Sequence, residues 1–236
     1  MAMEYYNIEQ LAPILNCSTR QLQRYAERGE IPAQRIGGEW RFSRPEIISW
    51  IEVRIRKATD EDLIELLKLL EKMHAGLPPE DLLVSDLLDV NGMAIPLSGR
   101  SPNSVIENLV EAAMNTGLLW DSQKMTEAVI AREAMAPTAM DNGVALLHPR
   151  RPMRDVLSDP FIAFGKTPSG IPFTNSRGVL TDVFFLICSV DDTQHLRTLA
   201  RLSRILNVPD FLDTLRTLDE PEEILRLFRE TEEGMK

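Results

Sequence analysis

The chain has 236 residues, 26 Lys and Arg against 36 Asp and Glu, a formal net charge of −10 and 44% apolar residues. That apolar share is ordinary for globular cores and excludes disordered or collagen-like chains, and the acidic balance excludes a general coat for nucleic acid. The longest uncharged apolar run, Val183 to Val190, falls far short of the ~20 residues of a membrane helix. The opening Met-Ala-Met-Glu-Tyr-Tyr has neither the basic nor the apolar region of an export signal, so a cytoplasmic protein with no membrane partner is expected. Cys17 and Cys188 stand far apart without partners at metal-ligand spacing, which speaks against disulfide and zinc frameworks.

Charge is unevenly spread. Residues 1–57 carry 9 basic and 7 acidic side chains, whereas the rest carries 17 and 29. An acidic chain with a slightly basic head can still read DNA through that head. In the head, Ile8, Leu11, Ala12, Ile14 and Leu15 recur at helical spacing from Asn7 onward. Asn16-Cys17 breaks the run, Ser18 caps a second helix from Thr19 to Arg28, and Gly29 ends it. Two short helices across a tight turn make a helix-turn-helix. Gly37-Gly38, between alternating residues, is a hairpin signal and hence a wing. Pro45 then opens a third helix to about Arg56, with Ile47, Ile48, Trp50, Ile51 and Ile55 as its apolar residues.

These residues resemble the excisionase-type branch of the MerR-like winged helix-turn-helix family. The likeness is carried by Ile8-Glu9-Gln10-Leu11-Ala12, by Ser18 to Tyr25, by Gly29-Glu30-Ile31-Pro32 and by Gly37 to Phe42. It implies a second helix in the major groove of duplex DNA, with Thr19, Arg20, Gln23 and Arg24 facing the DNA and Arg35 and Arg41 of the wing holding phosphates. Arg offers a fork to guanine or phosphate, and Gln can read adenine. The competing reading is a solvated arginine face on a protein-binding head. Leu22 and Tyr25 are expected to pack, and Trp40 to hold the wing onto the head.

Thr59 with Asp60-Glu61-Asp62 signals the start of a connecting helix, with Leu63, Leu66, Leu67, Leu70 and Met73 on one stripe. Two heptads suffice to zip a homodimer held by something else, or the stripe docks on the C-terminal domain. Gly76 to Pro79 ends the helix as a linker. The expected domains are therefore 1–57, a connecting segment 58–79, and 80–236.

From Leu82 onward, helices alternate with apolar strands. Helices are expected from Asn103 to Gly117, from Asp121 or Ser122 to about Met135, from Gln194 to Leu206 and from Pro221 to Glu232. Strands are expected at 143–147, at Phe161 to Phe164, at Ile171 to Phe173 and at Val183 to Val190. This is an α/β layered domain. His148 ends one buried strand, where open α/β sheets place ligand sites, and His195 stands in the first turn of a helix directly after another. His74, closing an exposed helix, is a surface residue on this reading.

Residues from about 83 to 228 resemble the enzyme IIA domain of the fructose, mannitol and nitrogen-related branch of the bacterial phosphoenolpyruvate-dependent phosphotransferase system. The matching segments are Ile95-Pro96-Leu97 with Asn103 to Leu118, Ala131-Arg132-Glu133 through Pro137-Thr138, Asn142 to His148, Gly170 to Phe173, and Asp182 to Ile187 leading to Thr193 through Leu199. The resemblance implies a mixed sheet flanked by helices. It also implies a phosphohistidine phosphocarrier that takes its phosphoryl group from the carrier protein HPr. His148 matches the acceptor, His195 the second histidine and Arg132 the nearby arginine, and no metal or cofactor is required. A neutral imidazole, with an ordinary pKa of about 6.5, is a competent nucleophile at neutral pH. A helix N-terminus and a guanidinium can stabilise the transferred group. The sequence departs from the family in having Leu147 where proline is usual and Pro149 where glycine is usual, followed by Arg150 and Arg151, which bears on which protein is the donor.

Three functions follow. The first is a DNA-binding transcription regulator whose IIA domain senses phosphotransferase state. The second is a phosphocarrier passing phosphate to a sugar-transporter IIB domain, a reading weakened by the lack of IIB and IIC segments. The third is an unphosphorylated module that acts on a regulatory protein by contact, weakened by the presence of both histidines and Arg132.

Overall fold

A computed structural model describes residues 5–56, 58–73, 83–173 and 178–235, with the backbone alone for 69–73. The chain divides into two compact units, Met1–Glu80 and Asp81–Lys236. Among the described residues no helix is long and apolar enough to cross a membrane.

In the N-terminal unit a short strand β1 (Tyr5–Tyr6) leads into α1 (Ile8–Ile14). Asn7 starts this helix because its carboxamide accepts from Gln10 N at 2.8 Å while the Gln10 side chain accepts from Asn7 N at 2.9 Å. Ser18 and Gln21 repeat the device at the head of α2 (Thr19–Glu27). Gly29, at φ +70°, closes that helix in the left-handed region that glycine tolerates. The hairpin of β2 (Gln34–Ile36) and β3 (Glu39–Ser43) turns through Gly37 and Gly38. Both have positive φ, as a two-residue I′ turn demands. The strand order is β1-β3-β2, antiparallel throughout. A two-residue β1 is too short to carry any periodicity along the chain.

Ser43 precedes α3 (Arg44–Ile55), which has Pro45 in its first turn and buries Ile47, Ile48, Ile51 and Ile55. The connecting helix α4 (Asp60–Met73) starts where Thr59 and Asp62 exchange hydrogen bonds. It lies against α1 of its own head, with Leu63 and Leu67 buried. The first half of the leucine stripe is therefore spent inside the N-terminal unit. The side chains of Leu70 and Met73, His74 and the linker from Gly76 to Pro79 lie outside the described residues.

The C-terminal unit begins with α5 (Val84–Leu87), whose first two amides, Val84 N and Ser85 N, donate to the buried Glu232 carboxylate at 2.7 and 3.0 Å. There follow β4 (Leu88–Ala94), α6 (Pro102–Met114), α7 (Ser122–Met135), β5 (Val144–Leu147), β6 (Phe161–Ile171), β7 (Thr181–Cys188), α8 (Asp192–Leu206), α9 (Phe211–Thr217) and α10 (Pro221–Gly234). The described strands form one mixed sheet in the order β4-β6-β7-β5. β4 runs parallel to β6, β6 antiparallel to β7, and β5 parallel to β7.

Strand alternation divides the core. Ala145, Leu147, Ala163, Phe184 and Leu186 join the cluster built with α6 and α7. On the other face, Phe164 and Phe185 lie 5.2 Å apart, Phe185 and Phe228 6.0 Å, and Phe211 and Phe228 5.0 Å. These are offset and edge-to-face contacts that add to the burial itself.

The expected strand at 161–164 and the first residue of the one expected at 171–173 belong to one continuous β6, and Pro172 and Phe173 lie beyond its end. The polar stretch between the two expected strands continues to pair, Lys166 with Val183 and Ile171 with Thr181, across a register shift. Lys166 is tolerated there because its ammonium donates to Arg216 O at 2.9 Å and Leu218 O at 2.6 Å, carbonyls at the end of α9. β4 went unread because Asp89, Asn91 and Gly92 are poor strand formers.

Candidate functional site

β5 is buried along its whole length and pairs with β7 from Val144↔Val183 to Leu147↔Leu186. Because these neighbours are parallel, their C-terminal ends open at the same edge of the sheet. The residue leaving β5 therefore meets the helix that follows β7. His148 and His195 are brought together there, with ring centroids 4.8 Å apart and planes tilted by 57°. Both are buried.

The Nδ1 atom of His148 lies 2.8 Å from Leu146 O. A carbonyl can only accept, so Nδ1 carries the proton and the in-plane lone pair of the neutral ring is at Nε2. His195 Nδ1 lies 3.4 Å from Ser189 Oγ. Its backbone is held by the start of α8, where the Asp191 carboxylate accepts from Gln194 N at 2.9 Å and Gln194 Oε1 accepts from Val190 N at 3.3 Å. The neighbouring Cys188 is a poor alternative nucleophile, since burial pushes its thiol pKa far up.

The loop after His148 is pinned to the same edge. Arg154 Nε donates to Val190 O, so the exits of β5 and β7 are tied through one guanidinium. Pro149 and Met153 are buried, while Arg150 and Arg151 are exposed. Asp155 pairs with Lys124, which lowers the Asp155 carboxyl pKa and raises that of the Lys124 ammonium, and its carbonyl accepts from Trp120 Nε1 at 3.1 Å. Ser189 and Arg154 were not read as site residues, because a lone serine or arginine in a loop carries no pattern.

Arg132 is buried in the last turn of α7, where its Nη1 donates to Ala136 O at 2.7 Å. Its neighbour Glu133 accepts from Thr138 N and Oγ1 at 2.7 and 2.8 Å. Together they shape the segment that bridges β5 through Ala139↔Ala145. At the other end of β5, Arg216 forks onto Asp182 at 2.8 and 3.0 Å and reaches Asn142 O at 2.7 Å. That bond to Asp182 raises the arginine pKa further. Gly143 has φ +83°, and a Cβ there would stand 2.8 Å from Arg216 Nη2.

In the N-terminal unit, Leu22 and Ala26 bury one side of α2 while Thr19, Arg20, Gln23 and Arg24 are exposed. Gln23 Nε2 donates to Glu27 at 2.9 Å. The wing arginines are engaged locally: Arg35 stands over the Trp40 ring at 4.7 Å, and Arg41 donates to Glu39 at 2.6 Å and to Trp40 O at 3.2 Å. Tyr25, expected to pack, is 37% exposed. It lies between Leu22 and Ala26 in the sequence, at the border of the stripe they bury.

The family model described as phosphoenolpyruvate-dependent sugar phosphotransferase system, EIIA 2, matches residues 86–231, and a helix-turn-helix domain model matches residues 5–54. The chain is 26% identical over 125 residues to the PTS system fructose-specific EIIABC component of Bacillus subtilis, a match covering 52% of this chain but only 19% of that protein's length. It is 26% identical over 144 residues to a nitrogen regulatory protein of Bradyrhizobium diazoefficiens, covering 60% of this chain and 91% of that one. The crystal structure of the nitrogen regulatory protein IIA-Ntr from Neisseria meningitidis has the same fold as the C-terminal unit. Its TM-score is 0.54 at 19% identity, covering 61% of this chain and 98% of that chain.

Proposed function

Because the chain belongs to the enzyme IIA family of the phosphoenolpyruvate-dependent sugar phosphotransferase system, we propose that His148 accepts a phosphoryl group on Nε2, with phospho-HPr as donor. The observation that carries this reading is the bond from His148 Nδ1 to Leu146 O, with the second imidazole 4.8 Å away. In the transfer, the Nε2 lone pair forms the new N–P bond as the donor's P–N bond breaks, and that electron pair returns to the donor imidazole. The Nδ1 proton stays with His148, held by the carbonyl. In the tautomer in which Ser189 Oγ donates to Nδ1, His195 carries its proton on Nε2 and can donate it to a phosphoryl oxygen. Positioned donors and charges of this kind supply most of the catalysis in phosphoryl transfer. Arg132, closing α7, is the third member of the proposed site.

The helix-turn-helix match and the exposed Thr19, Arg20 and Arg24 support a head that binds duplex DNA, and hence a transcription regulator that senses phosphotransferase state. The likeness to a protein named EIIABC favours one second reading, a carrier that hands its phosphate to a IIB domain. Incubation with phosphoenolpyruvate, enzyme I and HPr tests the acceptor role: acid-labile phosphate should appear on His148. No label on the wild-type chain would leave only a module acting by contact. If label then moves to an added fructose-type IIB domain, the carrier reading holds. If operator affinity instead changes with phosphorylation, the regulator reading holds, and by linkage DNA must change the equilibrium extent of phosphorylation by the same factor.

A further inference from the structure

We propose that the groove between α3 and α4 of the N-terminal unit is a self-complementary dimer interface, occupied by the same unit of a second copy of this chain. The groove has a volume of about 820 Å³, with Ile14, Leu15, Ile51, Ile55 and Leu66 among its apolar lining. Its lining also includes Tyr25 and Val53, which are 37% and 38% exposed. Large apolar side chains left open along one groove mark an interaction surface more than scattered ones do.

The charges on the two walls identify the occupant. On the α3 wall, Trp50 is fixed by its Nε1 donating to Glu30 O at 2.9 Å, and the Arg54 guanidinium lies 3.6 Å from the centre of that ring. On the α4 wall, the Asp62 carboxylate accepts from Thr59 N and Oγ1 at 3.1 and 2.8 Å, and Glu61 is exposed beside it. Arg54 on α3 and Asp62 on α4 thus stand in the same lining as opposite charges, while the Glu30 carboxylate, also in the lining, is paired with Arg28 at 3.7 Å.

A two-fold interface requires a patch to be complementary to itself. This groove meets that condition when α3 of one copy faces α4 of the other, setting Arg54 against Asp62 twice. Tyr25 and Trp50 in its lining are of the residue types that dominate binding energy in such contacts. The α4 wall is already braced, because Leu63 and Leu67 are buried where the helix lies against α1. Pairing here would also join two heads flank to flank beside α2, presenting two sets of Thr19, Arg20 and Arg24. The interface rests on the N-terminal unit alone and does not depend on the phosphohistidine reading.

Sedimentation equilibrium of the full chain from sub-micromolar to hundred-micromolar concentration tests it. The wild type should be a monomer–dimer equilibrium. Val53→Glu, at an exposed position, should raise the dimer dissociation constant at least about tenfold with an unchanged far-UV circular dichroism spectrum. Arg54→Glu and Asp62→Arg should each weaken the dimer, and the double variant should recover most of the loss by restoring both pairs with reversed sign. A monomer at every concentration overturns the proposal and leaves the groove to some other occupant. So does a dimer indifferent to Val53→Glu, and so does a double variant no tighter than either single one.

Discussion

The two units hold their chemistry in opposite ways. The N-terminal unit displays Thr19, Arg20 and Arg24 on the outside of a nine-residue helix. Their placement follows from neighbours within ten residues: the Ser18 cap, the buried Leu22 and Ala26, the closing Gly29. In the C-terminal unit His148 and His195 are buried, and they meet because β5 and β7 are adjacent and parallel. A polyanion can be met by side chains on a locally specified helix, because long-range charge needs little preorganisation. A group transfer needs two rings fixed within a few ångströms, and here a sheet with tied loop ends holds them.

The largest test of this contrast is His148→Ala. It removes the only nitrogen assigned to receive the phosphoryl group, so labelling from phospho-HPr should be lost altogether while the exposed face of α2 still binds DNA. Full labelling of the variant would show that the acceptor had been misassigned. His195→Ala should leave the label on His148 but slow its arrival by about 10²–10³-fold, the usual cost of removing one preorganised donor. Rapid-quench transfer kinetics measure this, and stable phosphate on residue 195 of the wild type would exchange the two roles.

In the N-terminal unit the expected losses are smaller and graded. Arg20→Ala and Arg24→Ala should each weaken operator binding by about 1–3 kcal/mol if they read bases. If they hold phosphates instead, each should weaken binding to all sequences and reduce the salt slope by about one. Titrations at several salt concentrations separate the cases. Binding that survives both substitutions would return the head to the protein-docking reading.

The same contrast explains what could be read from the sequence. The Ser18 and Thr59 caps, the Gly37-Gly38 turn and Pro45 are local devices, and each appears where its residues placed it, whereas the helix expected from Asn103 is capped two residues earlier by Ser101. His148 and His195 were legible as strand exits, yet nothing in spacing or periodicity says that two strands carrying histidines 47 positions apart pair in parallel. That came from the family resemblance. Lys166 and its neighbours broke the apolar pattern, so β6 was read as two strands, since a lysine's partners on α9 are invisible along the chain. Ser189, Arg154 and the Arg216–Asp182 fork act through atoms distant in sequence and left no motif. Tyr25 shows the limit of helical periodicity, which assigns a face to within about one residue and so misplaces side chains at its border.

The smallest effects should come from two caps that use the same chemistry in the two units. Ser18 Oγ accepts from Gln21 N at 3.2 Å, and the Asp191 carboxylate accepts from Gln194 N at 2.9 Å. Replacing either with alanine leaves an orphaned amide and should cost about 1 kcal/mol of local stability. In hydrogen exchange this reads as roughly fivefold faster exchange at that helix start. The functional consequences should part company. Ser18→Ala frays the start of α2, where Thr19 and Arg20 stand, and should weaken DNA binding modestly with labelling unchanged. Asp191→Ala loosens the turn that carries His195 and should slow phosphoryl transfer with DNA binding unchanged in the unphosphorylated protein. Equal damage to both activities from either substitution would mean that the two units do not hold their chemistry separately, and the contrast drawn between them would fail.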